Sequence, residues 1–82
     1  MEGIKVYENS SVDMMAAAIA AELSGKGQVT LETKGGAQAL DRAITSVNMA
    51  KNCMTDYNIV LSKAVSHLGD ATLLLRAERN RG

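Results

Sequence analysis

Between Gln28 and Leu40 the chain changes its period within a few residues. Gln28-Val29-Thr30-Leu31-Glu32-Thr33 alternates polar and apolar side chains, and from Ala37 onward the apolar residues recur at helical spacing. Lys34-Gly35-Gly36 stands between the two patterns. A strand must end there and a long helix begin, with two glycines letting the backbone turn. Such a junction aims the leading amides and the positive end of a helix dipole outward, a setting suited to an anion held together with Lys34. The same geometry is also an ordinary way for a strand to become a helix, and the residues leave both readings open.

The remaining punctuation extends this unit in both directions. Ile4-Lys5-Val6-Tyr7 alternates as a strand wet on one face does. Asn9-Ser10-Ser11 supplies helix-capping residues, with Ser10 and Asp13 at capping-box spacing, and the first helix is expected to end near Ser24 with Gly25 as its left-handed stop. Val12, Met15, Ala16, Ile19, Ala20 and Leu23 share its inner face. The outer face, Met14, Ala17, Ala18 and Ala21, lacks charge and is either a plain Ala-rich surface or a subunit contact. Gly27 opens the second strand. The second helix is expected over about Ala37 to Cys53, with Leu40, Ala43, Ile44, Val47, Ala50 and Met54 as its buried stripe. Gln38, Asp41, Arg42, Thr45 and Asn52 form its outer face, and Met49 lies among them. Thr55-Asp56 ends that helix. Tyr57–Ala64 reads as a third strand, Ser66–Asp70 as a turn and Ala71–Glu78 as a fourth strand, paired as an antiparallel hairpin. The expected fold is α/β (α+β): one domain over 1–82, a βαβαββ two-layer open-faced sandwich with a mixed four-stranded sheet and two helices on one face.

Composition decides how such a fold can be filled. Eighty-two residues without Trp, Phe or Pro leave Ala, Leu, Ile, Val and five Met to build the core. A core this thin is often completed by a second subunit, so a homodimer or higher homo-oligomer is expected, with Met14, Met49 and Met54 as its interface candidates. Cys53 is the single cysteine and His67 the single histidine, too few for an internal disulfide or a zinc-type ligand set. Cys53, near a helix C-terminus, reads as a packing residue and His67 as a solvated loop residue. The carboxylates are scattered, and Lys34-Gly35-Gly36 lacks the remainder of a P-loop. Catalysis, a cofactor and a metal are not expected. No apolar run reaches membrane-spanning length and the N-terminus has no basic leader, so a cytoplasmic, non-membrane protein is expected.

The formal charge is zero but unevenly spread. Residues 1–33 carry an acidic excess of three and residues 34–82 a basic excess of three, densest at Arg76, Arg79 and Arg81. Nucleic-acid binders usually show a stronger overall excess. The candidate nucleic-acid or anion contacts are Lys34, Gly35, Gly36, Gln38, Arg42, Lys63, Arg76 and Arg79, with His67 and Arg81 as further contributors. Two tyrosines, Tyr7 and Tyr57, are the only aromatics, so sequence-specific single-strand readout is not expected.

Gly35-Gly36-Ala37-Gln38-Ala39-Leu40-Asp41-Arg42-Ala43-Ile44, continuing Val47-Asn48-Met49-Ala50-Lys51, resembles the stage V sporulation protein S family. In that family a Gly-Ala-rich turn leads into a helix of the form Ala-Leu-x-x-Ala-Val-x-x-Val-x-Ile-Ala-Arg. Strand 1, Ser10-Ser11 and the Ala-rich helix fit the same pattern, so the likeness covers about residues 3–54. The second helix is also similar to the wider Alba-like superfamily of small DNA- and RNA-binding proteins. The resemblance implies that the fourth strand lies between the second and third, that the protein self-associates, and that it binds nucleic acid or regulates sporulation or development without catalysis. Two departures weaken the nucleic-acid expectation. Glu8-Asn9-Ser10-Ser11 stands where Alba-type binders carry lysines, and the hairpin reads as short, with only Lys63 and His67 near it. Weak, salt-sensitive binding, or its loss, is therefore expected. The alternative is an interaction module for a protein partner or a small anionic ligand such as a nucleotide.

Overall fold

The computed structural model describes residues 3–79. The order is β1 (Ile4–Tyr7), α1 (Val12–Lys26), β2 (Gln28–Lys34), α2 (Ala37–Cys53), β3 (Tyr57–His67) and β4 (Asp70–Arg79). The sheet runs β1-β2-β4-β3. β1 and β2 are parallel, and β4 is antiparallel to both of its neighbours. The mixed βαβαββ sheet and its strand order agree with expectation. Register assigns the faces. Val6, Val29, Leu31, Thr33, Leu73 and Leu75 point to the side both helices cover, and apart from Thr33 they form one core with Met15, Ala16, Ile19, Leu23, Ala43, Ala50 and Met54. Lys5, Tyr7, Thr30, Glu32, Lys34, Thr72, Leu74 and Arg76 lie on the side that no helix of the described chain covers.

α1 starts at Ser11, not Ser10. The Ser11 hydroxyl accepts from the Met14 N–H, while the Ser10 hydroxyl accepts from the Tyr7 N–H and closes the preceding turn. The left-handed stop is Gly27 (φ 79°), and Gly25 lies in the last helical turn. The Gly27 N–H closes on the Leu23 carbonyl, and its own carbonyl accepts from Ala77 N–H, which ties the helix end to β4.

α2 has the expected limits but a rotated buried face. Ala39, Ala43, Ser46 and Ala50 are fully enclosed, whereas Ile44 is 50% exposed and Leu40 and Val47 are half-buried. Small side chains allow α1 and α2 to lie close, so the alanine seam faces the neighbouring helix and the larger residues flank it. The buried Ser46 hydroxyl donates to the Arg42 carbonyl one turn back. Met54 belongs to the protomer's own core, so it offers no surface to a second subunit and the interface expectation for it is withdrawn. Met14 is 75% exposed on α1 and Met49 is at the margin of exposure on α2.

The hairpin is long, not short. β3 continues through Ser66 and His67, which pair with Ala71 and Asp70, so His67 is a strand residue and the loop is only Leu68-Gly69. Both loop residues have positive φ (50° and 84°), as a type I′ turn requires. Asn-Gly would suit that turn; a leucine in it gives little sequence signal. One irregularity bends the arm. Leu61 pairs with Leu75 and Lys63 with Leu74, so Ser62 is a bulge. Every β3 residue from Leu61 to His67 is exposed, because the helices reach no further than the start of this edge strand.

Candidate nucleic-acid interface

The strand-to-helix junction is built as the glycines foretold, with φ of 120° at Gly35 and 79° at Gly36. Its ligand-facing chemistry is divided, however. The Gly35 N–H is already engaged, donating to Asp70 Oδ1 at 3.1 Å, so a carboxylate of β4 occupies the anion position at the turn. Gly36 caps α2 without a side chain, leaving the leading amides of Ala37, Gln38 and Ala39 uncapped at the helix end. Ala37 and Gln38 at this end of the helix border a concavity of about 640 Å³, lined also by Glu8, Val12, Asp41, Arg42 and Thr45. Lys34 is absent from it. One residue beyond the inward-facing Thr33, Lys34 lies on the opposite side of the sheet, in a smaller groove of about 180 Å³ with Glu32, Val65, His67, Asp70 and Thr72. Lys34 and the α2 amides therefore do not converge on one volume.

Arg42 also serves the fold. Its Nε donates to the Glu8 carbonyl at 2.6 Å and Nη1 to the Ser10 carbonyl at 3.1 Å, which clamps the β1–α1 loop against α2. Two of its five donors are thus used internally. Glu8 and Asp41 share the concavity, so its electrostatic character is mixed.

The remaining predicted contacts distribute along the uncovered face. Lys63, opposite Leu74, and Arg76, opposite Val60, stand diagonally across the β3–β4 pair. Arg76 is in an exposed ion pair with Glu78 at 2.8 Å. Arg79 pairs in register with Tyr57 and by alternation faces the helix side, at the far end of β4. Five residues of strand, roughly 17 Å at about 3.3 Å each, separate Arg76 from the junction side of β4. Arg81 lies outside the described residues. Two residues that the sequence reading left aside join the uncovered face: Lys5, beside Glu32, and Tyr7, beside Lys34. Strand alternation was the signal that could have found them. The uncovered face therefore carries Lys5, Lys34, Lys63 and Arg76 spread over its four strands, with the exposed Tyr7 beside Lys34 and with Glu32, Asp70 and Glu78 interspersed.

Among the described residues no group of three or more His, Cys, Asp or Glu side chains could hold a metal ion, and no helix is long and apolar enough to cross a membrane. A family model described as Stage V sporulation protein S (SpoVS) matches residues 2–65, from β1 through most of β3. No curated protein matches the chain.

Proposed function

The chain belongs to the stage V sporulation protein S family, and from that premise we propose that it is a non-enzymatic, self-associating nucleic-acid-binding protein that acts in sporulation or development. The likeness to Alba-type DNA- and RNA-binding proteins is part of this reading. The observation that carries it is the uncovered sheet face, where Lys5, Lys34, Lys63 and Arg76 present four cations across the four strands, with Tyr7 beside Lys34. Such a surface binds phosphates by charge and offers a single ring for stacking, so binding is weak and little dependent on base sequence. With three or four phosphate contacts, the slope of log affinity against log salt is about −3, and affinity falls roughly 60-fold between 50 and 200 mM salt. Gel shifts with duplex DNA and with RNA across that range test the proposal. Absence of a complex at the lowest salt rejects it.

The concavity at the start of α2 favours a second reading. Its volume of about 640 Å³ is that of a small-ligand pocket, and Gln38, Thr45 and the uncapped amides suit an anionic molecule such as a nucleotide. A nucleotide-induced rise in melting temperature, without any gel shift, selects this reading over the first.

A further inference from the structure

Two features of the projecting hairpin fit each other. At its tip Leu68 is 92% exposed with φ 50°, a conformation that costs a leucine energy and that asparagine or glycine adopts more readily. Further down the arm, Ile44, Val47 and Asn48 of α2 and Leu61, Leu73 and Leu75 of the sheet line an almost wholly apolar groove of about 150 Å³. An apolar hollow of that size accepts a group as large as benzene, which makes it a suitable socket for a leucine side chain. Leu68 cannot reach the groove of its own chain, since it lies seven residue steps, about 23 Å of strand, beyond Leu61.

We propose that two copies of this chain associate through the outer edge of β3, the Leu68 tip of each seated in the Ile44–Leu61 groove of the other. The inference rests on the self-association part of the reading above and is independent of its nucleic-acid part. β3 ends the sheet, so its outer edge is an unpaired template for a further strand. A two-fold axis at Val65 pairs that edge antiparallel with its copy. Val65, itself 49% exposed, then meets the same residue of the second copy, and Leu68 arrives beside the Leu61–Ser62 bulge. Ala64 and Ser66, on the arm just before the Leu68 turn, face the helix side, which is the side of the groove. Lys63 is the one formal charge between Ser62 and Leu68, and in this register the two lysines stand about 13 Å apart along the strand. That exceeds the screening length of roughly 10 Å at 0.1 M salt. The paired edges overlap over about 23 Å of strand, and the two seated tips add a contact at each end of it. One operation closes the assembly and satisfies tip, groove and edge together.

The test is mass by light scattering and sedimentation over about 1–500 µM, a range chosen to span weak to moderate dimers, for the intact chain and three variants. The wild type is expected to reach twice the chain mass. Leu68→Asn keeps a residue suited to the turn, so its melting temperature should equal or exceed the wild type's while its dimer dissociation constant rises at least tenfold. Ile44→Glu, at a half-exposed helix position, should act the same way from the socket side. Met49→Glu, on the opposite flank of α2, should leave the dimer unchanged. A wild type that stays monomeric to the top of the range overturns both this interface and the self-association reading. A dimer that withstands Leu68→Asn and Ile44→Glu but is dissociated by Met49→Glu overturns the interface alone.

Discussion

The helix-covered part of the sheet and the projecting hairpin share β4, yet they are held together differently. Under the helices, Leu31, Val6 and Ile19 are completely enclosed and the strands are fixed by packing as well as by pairing. Along the outer arm, Leu61 is 54% exposed and Val65 nearly as much, so the strand pairing carries most of the order. Burial supplies the larger share of stability in a small domain. The first region therefore sets whether the chain folds, and the second is free to present side chains to partners. The difference teaches that Leu61, Val65 and Leu68 are exposed in succession along the arm, whereas the helices expose apolar residues singly, at Met14, Ile44 and Met49.

A pair of truncations tests this contrast most severely. Leu31→Ala should cost about 3–4 kcal/mol in urea unfolding, the usual range for an enclosed leucine, while Leu61→Ala should cost less than about 1 kcal/mol. Equal losses would erase the distinction. A smaller but pointed effect is expected where the two regions join. The enclosed Thr33 hydroxyl accepts from the Ala71 N–H at 2.8 Å and donates to the Ala71 carbonyl at 3.3 Å. Thr33→Val leaves that amide unpaired and should lower stability by about 2 kcal/mol. Amide exchange should then quicken in the hairpin more than in α1, and uniform quickening would show that the joint is not local. Arg42→Ala releases the β1–α1 loop and should cost about 1–2 kcal/mol, with Arg42→Lys recovering only part because one ammonium cannot span both carbonyls in the same fork. Full recovery by lysine would refute the clamp. The smallest effect belongs to the arm: Asp70→Ala removes an exposed bond to the Gly35 N–H and should cost only about 0.5 kcal/mol. The same change should strengthen phosphate binding at the junction if Asp70 competes there, which titration with inorganic phosphate reads directly.

How much of this was legible in the sequence depends on which kind of pattern carried it. The limits of α2 are written in Gly35-Gly36 before it and Thr55-Asp56 after it, and the alternation of β2 names its covered face. The rotation of α2 is less visible. Ala39, Ala43, Ser46 and Ala50 mark a close helix contact, but hydropathy weights Ile44 more heavily than any of them, so the pattern points at the wrong flank. The hairpin was foreshortened because Ser66-His67 looks like loop and because a leucine conceals a type I′ turn. At the candidate site the residue types were readable but their grouping was not. Lys34 and Gln38 are four positions apart in the chain, yet the turn between them carries them to opposite sides of the sheet.

The bulge at Ser62 has an outcome for insertions and deletions. Counting strictly by twos from Ile59 would turn Lys63 toward the helices; the surplus residue resets the count, so Lys63, Val65 and His67 emerge on the other side. Ser62 is accordingly dispensable to orientation: excising it should straighten the arm and leave each later side chain facing as before. Removing Ala64 instead should leave Lys63 where it is and invert Val65, Ser66 and His67, putting the outer end of the arm out of step with the rest of the sheet.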